Sequence, residues 1–439
     1  MEKNTIFALS SGVPPAAIAV VRISGAGAGP ALKRLAGRLP APRRAVLADL
    51  RDGDDQALDR ALLLWFPGPA TATGEDLAEL HLHGGRAVVA AVEAVLATMP
   101  GMRRAAAGEF TRRAFFNGRM DLAEAEGLAD LLAAETESQR VQALAMVNGH
   151  VSRAVAEWQE RLLGLMAAAE AELNFADEDD VEVGEVVAER LISGMDALAV
   201  ELGEWLARPA AEVIAEGLSV VIAGPPNAGK STLINALAQR ELAIVSPIEG
   251  TTRDVIETPL ALDGIAMRFS DTAGLRAEGA DAIEAIGIDR AKQAVEGADI
   301  LLWLGTPDAA PSHPRRVIVA AQADRWQGDA EAEAAASRCD LTLSAATGAG
   351  MDGLHRRIVD IARTLLPREG EAALRQRQRV ALAEARDWLT IVRGSREASD
   401  LILLAERLRL AGAALDRITG RAGVEDMLDA LFGRFCIGK

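Results

Sequence analysis

The segment that most constrains the fold is residues 224–231, which read GPPNAGKS and match the pattern G-x-x-x-x-G-K-[ST]. An apolar run typical of a buried strand, residues 218–223, precedes it, and residues 232–237 follow it with a helical pattern. In this context backbone N–H groups at the helix N-terminus surround phosphates, Lys230 neutralises their oxygens and Ser231 is placed to ligate Mg²⁺. The alternative, a chance glycine-rich turn, does not account for the flanking strand and helix. The segment therefore predicts a P-loop.

Further segments downstream carry the other parts of a switch-type nucleotide site. Residues 271–274, DTAG, follow a short apolar strand and supply an aspartate and a glycine of the kind that responds to the γ-phosphate. Between the two motifs, residues 250–254 read GTTRD, and Thr252 is placed to complete the Mg²⁺ shell and to form the first switch. Ser344 and Ala345 follow another strand and fit a guanine-contacting loop. Together these segments predict a GTPase.

The motif that normally recognises guanine, N-K-x-D, does not occur in this chain. At the corresponding place, after the apolar residues 317–320, the chain reads AQAD. Asp324 keeps the carboxylate that accepts from the guanine N1–H and amine, and a charge-assisted contact of this kind is worth about 1.5–3 kcal/mol. An ordinary loop aspartate is the alternative. The replacement of the motif's asparagine and lysine by Ala321 and Gln322 is therefore expected to affect the affinity for the nucleotide more than the choice of base.

A second departure concerns the attacking water. Many small GTPases orient it with a glutamine directly after the DTAG glycine, but this chain has Leu275, which cannot hydrogen-bond. Glu284, on the helical stretch 282–287, is the nearby carboxylate that we expect to hold the water, directly or through a second water. Its alternative is an ordinary solvated helix residue.

The rest of the chain divides into one mixed and two helical regions, and its 439 residues suggest about three domains. Residues 5–116 alternate short apolar runs with a helical segment, whereas 122–206 and 371–431 have helical periodicity. Because a domain's termini usually lie close together, we favour one helical domain interrupted by an insertion over two separate helical domains. The fold class is therefore α/β plus all-α. The predicted segments are an N-terminal α/β domain at 1–118, a helical domain in two parts at 119–213 and 369–439, and a G domain at 214–368.

Composition limits the environment and the partners. Lys and Arg number 47 against 64 Asp and Glu, a net charge of −17 that repels polyanions at long range, so any nucleic-acid contact must be local. Two cysteines, Cys339 and Cys436, are too few for a disulfide framework and fit a reducing cytoplasm. No apolar run approaches the roughly 20 residues of a membrane-spanning helix, and the N-terminal residues lack the apolar core of a signal peptide. We expect a cytoplasmic protein with no membrane partner.

Beyond these motifs, the chain resembles the MnmE (TrmE) family of tRNA-modification GTPases nearly end to end. The C-terminal residues 436–439 read CIGK, a very specific signature of that family. The other matching segments are RISG at 22–25, GED at 74–76, HLHGG at 81–85, GEFT at 108–111, RAF at 113–115, NG at 117–118, DLAEAE at 121–126, GTTRD at 250–254 and DTAGLR at 271–276.

The resemblance implies an architecture and an activity. It implies an N-terminal folate-binding domain, a discontinuous helical domain and an inserted Ras-like G domain. It also implies a homodimer that joins the flavoprotein MnmG in a heterotetramer and adds a carboxymethylaminomethyl or aminomethyl group to the wobble uridine of certain tRNAs. The implied cofactors are K⁺, Mg²⁺ and 5-formyl- or methylene-tetrahydrofolate, with GTP as substrate. The alternative is a regulatory GTP-binding switch in RNA or ribosome maturation, which we would expect to carry an RNA-binding domain instead of the N-terminal domain and the CIGK end.

The same resemblance implies roles for individual residues. Catalysis would involve Glu284, Lys230 and Thr252, and Mg²⁺ would be held by Ser231 and Thr252. The ligands implied for K⁺ are Asn227, the backbone oxygens of Ser246 and Ile248, and Thr251. The implied GTP contacts are Asn227, Ala228, Gly229, Lys230, Ser231, Thr232, Ser246, Thr251, Thr252, Asp271, Thr272, Ala273, Gly274, Asp324, Ser344 and Ala345.

For folate, the matching positions are Arg22, Glu79, Arg119 and Lys439, and many relatives have Lys in place of Arg119. Cys436 is a candidate for the modification chemistry, with a structural thiol as the alternative. If Lys439 lies at the folate pocket, the end of the chain must return to the N-terminal domain, and we expect it to do so across a dimer interface.

Two weaker signals remain. His81 and His83 share one face of a predicted strand and are candidate metal ligands, although histidines bonded within the fold are the more common case. Arg375, Arg377 and Arg379 form a basic cluster on a predicted helix, which fits either contact with tRNA phosphates or a solvated face.

Overall fold

The computed structural model describes most of the chain, and the chain divides into two compact units. The described residues are 4–175, 181–240, 242–243, 257–271, 292–326, 328–368, 371–392, 400–421, 428, 431–433, 435 and 437–438. One unit contains residues 1–129, 152–157 and 415–439, and the other contains residues 130–151 and 158–414. Within these described ranges, no helix is both long enough and apolar enough to cross a membrane.

The first unit is built on a six-stranded sheet. Its strands are β1 (Thr5–Leu9), β2 (Ile18–Ser24), β3 (Val46–Arg51), β4 (Ala57–Phe66), β5 (Leu77–His83) and β6 (Met102–Arg104). They lie in the order β3-β4-β5-β2-β1-β6, antiparallel except for the parallel pair β1 and β6. Because successive side chains of a strand point to opposite faces, Val21 and Leu80 are buried in the core while Arg22 and Glu79 occupy the other face.

Helices pack on both faces of this sheet. The apolar face is covered by α1 (Ala28–Ala36) and α2 (Arg86–Ala97). On the other face, α3 (Glu109–Phe116) packs Phe110 against Ile6 and Ala8, and the start of α4 (Leu122–Ala133) packs against the C-terminal segment. Leu32 of α1 and Val92 of α2 are fully buried in one cluster with Phe7 and Ile23 of the sheet. Each such side chain contributes about 1.5–3 kcal/mol through burial, so the sheet forms one core with α1 and α2. The predicted N-terminal α/β architecture is confirmed.

The end of the chain belongs to this unit. Leu431 and Phe432 are buried against Leu122 at the start of α4. Beyond them, Ile437 forms an antiparallel bridge with Ala107, and the Ser10 hydroxyl donates to the backbone oxygen of Gly438 at 2.7 Å. The expected return of the chain end to the N-terminal domain is confirmed, since residues 437–438 reach this domain within the same chain. Its expected position at a dimer interface stays a prediction. A close apolar partner for Phe432 exists in α4, so the segment needs no second copy to be buried.

The second unit contains a seven-stranded sheet. Its strands are β7 (Leu218–Ala223), β8 (Leu242–Ala243), β9 (Glu257–Leu262), β10 (Ile265–Asp271), β11 (Ile300–Leu304), β12 (Arg316–Ala320) and β13 (Leu341–Thr342). They lie in the order β13-β12-β11-β7-β10-β9-β8, and the five strands from β13 to β10 are parallel. The chain passes from β10 on one side of β7 to β11 on the other, and ligands of open α/β sheets bind outside the carboxyl ends of strands at such a reversal.

Helices complete the second unit. They are α5 (Glu137–Val147), α6 (His150–Phe175, in part), α7 (Val181–Ala207), α8 (Ala211–Glu216), α9 (Lys230–Arg240), α10 (Ala330–Ala336), α11 (Met351–Leu365), α12 (Gln376–Leu389) and α13 (Leu401–Thr419, in part). From the two helical regions of the sequence, α7 and α12 pack against each other. The Trp158 indole on α6 donates to Glu201 on α7 at 2.7 Å and lies edge-on to Trp205.

The second helical region begins later than its periodicity predicts. Residues 371–375 are not helical, and the helix starts at Gln376. Ala373 is buried against Ala211 and Ile214 of α8, and the backbone oxygen of Leu374 accepts from the Ala211 N–H at 3.0 Å. The non-helical backbone here satisfies the first turn of α8, which no local pattern indicates.

Candidate functional site

The loop between β7 and α9 has the geometry of a phosphate-binding loop. Lys230 is 6% exposed, and its ammonium donates to the backbone oxygens of Gly224 and Pro225 at 3.1 and 3.0 Å. Gly224, Asn227 and Gly229 have φ of +155°, +61° and +90°, and a Cβ on Gly224 would lie 2.3 Å from the oxygen of Leu304. Such positive-φ backbone forms concave nests of N–H groups that bind anions. Among the described residues, the hydrogen-bond partners of this buried ammonium are these two neutral carbonyl oxygens, so a phosphate is its natural counter-charge.

Two oxygen ligands lie side by side at the end of the loop. The Ser231 hydroxyl donates to the Asp271 carboxylate at 2.6 Å. Ser231 is in the first turn of α9, and Asp271 ends β10, whose register pairs it with Ile222 of β7. Because Mg²⁺ prefers hard oxygen donors, this hydroxyl–carboxylate pair fits the donor set of a Mg²⁺ site. The P-loop motif and the start of the DTAG motif therefore lie next to each other, as the sequence predicts.

Asp324 lines a small cavity next to this loop, and its carboxylate is bonded to Ser344. The Ser344 hydroxyl is buried and donates to Asp324 at 2.6 Å, and this hydrogen bond holds the pKa of the Asp324 carboxyl below its ordinary value. The carboxylate is therefore an acceptor at neutral pH, with lone pairs left for a ligand. The cavity is about 60 Å³ and is lined also by Thr232, Leu343 and Ala345. A narrow apolar slot with one carboxylate suits a flat base that carries N–H donors.

The loop that carries Asp324 is held by residues outside the usual motif. The Trp326 indole donates to the backbone oxygen of Ala321 at 2.9 Å, and the Gln322 amide donates to the backbone oxygen of Asn227 at 2.8 Å. Compared with the guanine motif, the sequence shows at Ala321 and Gln322 only the loss of an asparagine and a lysine. The signal that pointed to Gln322 was its place in the motif, but its hydrogen-bond partner lies 95 residues away.

Several predicted site residues lie outside the described residues, and they remain predictions. They are Ser246, Ile248, Thr251, Thr252, Thr272, Ala273, Gly274, Glu284, Cys436 and Lys439.

In the first unit, the predicted folate residues Arg22 and Glu79 are direct partners. They lie opposite each other in the register of β2 and β5, and the Arg22 guanidinium donates to the Glu79 carboxylate at 2.9 Å. The same guanidinium lies 5.9 Å from the centre of the Phe110 ring. Arg119 bonds instead to the backbone oxygen of Thr71 at 3.0 Å. The half-buried Arg–Glu pair offers adjacent donors and acceptors on the face of the sheet opposite its core.

The two histidines and the basic cluster that the sequence singled out form contacts within the fold. His81 lies 3.4 Å from Glu79, and His83 bonds to Asp59 at 2.7 Å; among the described residues there is no group of three or more potential metal ligands. Arg375 pairs with Asp130, and Arg379 donates to the backbone oxygens of Leu206 and Arg208. Arg375 and Arg379 therefore bond within the protein, a role that neither interpretation of the sequence, contact with tRNA phosphates or a solvated face, includes.

Two features define the class of enzyme. Strand β7 lies between β10 and β11, and the loop after β7 buries Lys230 against backbone oxygens. This fold and loop are those of a P-loop GTP hydrolase. Comparison with known proteins narrows this class. Models of two families match, the GTP-binding protein TrmE N-terminus at residues 5–119 and the MnmE helical domain at residues 122–436. The chain belongs to the MnmE (TrmE) family of tRNA modification GTPases.

Curated relatives align along almost their whole length. The tRNA modification GTPase MnmE of Sphingopyxis alaskensis is 82% identical over 419 residues, which cover 95% of this chain and 100% of the relative. The protein of the same name from Erythrobacter litoralis is 57% identical over 437 residues, 99% of this chain and 100% of the relative. Among solved structures, Aquifex aeolicus Era bound to GDP and AlF4⁻ shares 26% identity over 40% of this chain and 68% of that chain, with a TM-score of 0.25.

Proposed function

We propose that this GTP hydrolase uses K⁺-stimulated hydrolysis to drive modification of the wobble uridine of certain tRNAs. In this proposal it acts in the cytoplasm as a homodimer, joined to the flavoprotein MnmG in a heterotetramer, and adds a carboxymethylaminomethyl or aminomethyl group. Family membership supports the tRNA role. The observation that carries the hydrolase itself is the buried Lys230 ammonium beside the Ser231–Asp271 pair.

The proposed roles in hydrolysis follow from charge and position. Lys230 binds the β- and γ-phosphate oxygens, and the backbone N–H groups around Gly229 bind the remaining phosphate charge. Mg²⁺, held by Ser231 and Thr252, supplies neutralisation of the phosphate oxygens. Glu284 orients the attacking water, since Leu275 cannot. Asp324 accepts hydrogen bonds from the base, in the role that its bond to Ser344 supports.

A monovalent cation is the proposed source of the remaining positive charge. Asn227 is at the outer turn of the P-loop, three residues before Lys230, and its left-handed backbone differs from that of its neighbours. With the backbone oxygens of Ser246 and Ile248 and with Thr251, it would provide the neutral oxygen ligands that suit K⁺.

Folate is the proposed ligand of the first unit. Arg22 and Glu79 together match a ligand with both anionic groups and hydrogen-bond donors, which is the chemistry of a reduced folate. The hydrogen bond between Ser10 and Gly438 supports Lys439 as a further folate residue. Gly438, which precedes Lys439, bonds to Ser10 directly after β1, and β1 is the neighbour of the strand β2 that carries Arg22. Arg119 is proposed as a further cationic partner.

The proposed domains are those of the sequence: 1–118, a helical domain at 119–213 and 369–439, and an inserted G domain at 214–368. The packing of α7 on α12 supports the joining of the two helical parts. The family model of the helical domain also begins before and ends after the G domain, at residues 122 and 436.

The proposed function is tested by nucleoside analysis of wobble uridines in tRNA from cells that lack this protein. We expect the modified nucleosides to disappear and to return with the wild-type gene. Complementation with Lys230→Ala should fail, whereas the matched control Lys33→Ala, an exposed lysine on α1, should succeed. Normal modified nucleosides in the deletion strain would contradict the proposal and favour a role as a regulatory switch.

A further inference from the structure

Two loops at the nucleotide site are joined by one side-chain hydrogen bond. Gln322, on the loop after β12, donates from its amide to the backbone oxygen of Asn227 in the P-loop at 2.8 Å. Both residues have φ of +61°, a conformation that is uncommon for residues other than glycine and that clusters at functional sites. The bond therefore connects two backbone positions that the fold holds in unusual geometry.

The Gln322 side chain also covers the P-loop backbone. A Cβ placed on Gly229 would lie 3.2 Å from the Gln322 amide nitrogen and 3.6 Å from its Cγ. The glycine thus allows the amide and its stem to lie close to the turn before Lys230. Both residues line the cavity that contains Asp324. The stem of Gln322 is a wall of that cavity as well as a link to the P-loop.

The link reaches Asp324 through short, ordered connections. The Arg325 N–H donates to the backbone oxygen of Gln322 at 2.9 Å, which closes a tight turn around Asp324. The Ala323 N–H donates to the oxygen of Leu343 at 3.1 Å, and Ser344 bonds to the Asp324 carboxylate. A displacement of Gln322 would therefore move the carboxylate relative to the P-loop.

We propose that Gln322 is a positioning residue for nucleotide specificity, which sets the distance between the base-binding carboxylate and the phosphate-binding loop. The inference rests on the proposed binding of GTP at this site. A purine nucleotide spans both loops, so a fixed separation favours a base whose donors reach Asp324 when its phosphates are in the P-loop. Guanine motifs have a lysine at this position. The neutral Gln322 amide still donates a hydrogen bond to the P-loop, and only the positive charge of the donor is lost.

The test separates the donor from the stem. Gln322→Met keeps a side chain of similar length but removes the N–H donor. Gln322→Lys keeps a donor and adds a positive charge. The matched control is Gln239→Met, on an exposed face of α9. Dissociation constants for GDP and ADP would be measured by competition with a fluorescent GDP analogue on the full chain, with kcat and KM for GTP.

We expect Gln322→Met to bind GDP about tenfold more weakly, to lower the preference for GDP over ADP and to raise KM with little change in kcat. Gln322→Lys should bind GDP at least as tightly as the wild type, and Gln239→Met should match the wild type. Wild-type affinity and preference in Gln322→Met, or binding by Gln322→Lys as weak as that of Gln322→Met, would overturn the inference. A wild-type protein without preference for GDP would instead contradict the proposed function.

Discussion

At the scale of single residues, the nucleotide site brings together charged groups from several elements. Lys230 donates to carbonyl oxygens of its own loop, whose dipoles stabilise its charge only partly. Ser231 and Asp271 are within hydrogen-bond distance, although they belong to different elements. Preorganised charges of this kind stabilise a developing phosphate charge without a reorganisation cost at the moment of reaction.

Glu284→Ala is expected to lower kcat for GTP by about 100-fold with nucleotide affinity nearly unchanged, because a water-orienting group acts only as the water attacks. Steady-state hydrolysis and GDP binding would be measured on the same preparation. The control is Glu296→Ala, an exposed glutamate in the same G domain segment, which should hydrolyse GTP normally. A Glu284→Ala variant with normal kcat would make Glu284 an ordinary solvated helix residue.

Hydrolysis is expected to need K⁺ and to fall at least tenfold when Na⁺ replaces it, since a smaller ion fits a set of neutral oxygens around Asn227 less well. The measurement is kcat in KCl and NaCl at equal ionic strength, with GDP affinity in both salts as the control. Equal turnover in the two salts would show that another group supplies the positive charge.

At the scale of elements, α3 connects several parts of the first unit. Its N-terminus approaches the C-terminal segment so closely that a Cβ on Gly108, which has φ of +65°, would lie 2.3 Å from the oxygen of Phe432. On the same helix, the largely buried Arg113 donates to Glu75 at 2.8 Å and to the backbone oxygen of Asn4 at 2.8 Å. The helix thus holds the start of β1, the loop before β5 and the end of the chain.

Glu109, the first residue of α3, makes the stability of this unit depend on pH. Burial raises its pKa, but hydrogen bonds from Arg103, the Ala106 N–H and Arg113 outweigh burial and hold the pKa below its ordinary value of 4.5. A carboxyl with a lowered pKa in the folded state stabilises the fold above its unfolded pKa, and this stabilisation is lost as pH falls through the folded value.

Glu109→Gln is therefore expected to destabilise the protein at pH 7 by about 1–2 kcal/mol, and the difference from wild type should shrink as pH falls below about 4.5. Urea unfolding followed at several pH values measures this, with Glu93→Gln in α2 as a second largely buried carboxylate that is paired with an arginine. A difference that stays constant down to pH 3 would assign the effect to packing instead of charge.

At the scale of the whole molecule, the two candidate sites belong to different compact units. The phosphate and base groups lie in residues 218–346 of the second unit, whereas Arg22, Glu79 and the end of the chain lie in the first. A tRNA-modifying cycle that uses both must couple them. Each site can nevertheless be damaged separately, because no group of the first unit contributes to the P-loop contacts described above.

Deletion of residues 436–439 is expected to abolish tRNA modification in cells and to weaken binding of a reduced folate, while GTP hydrolysis persists. The reason is that the tail is next to β1, far along the chain from every phosphate contact. Cys436→Ser would test the thiol and Lys439→Ala the charge. Normal modification with the truncated chain would remove both residues from the proposed site.

The sequence by itself determined the parts of this protein that depend on short-range pattern. Residues 224–231 form a loop between a strand and a helix, as the motif predicts, because glycine conformation and helix N-termini are local properties. The alternation in β5 likewise predicted the shared face of residues 81 and 83. Family membership, too, was readable from motifs spread along the chain.

Only the tertiary structure decided how distant segments meet. The order of strands around β7, the pairing of Arg22 with Glu79, the non-helical residues 371–375 and the return of Gly438 to Ser10 each involve partners far apart in the chain. The bond from Gln322 to Asn227 is of the same kind: the sequence shows a lost lysine, and the fold shows what the replacing amide does. Such contacts depend on the summed packing of a whole sheet, and no local pattern records which neighbour a polar side chain will find.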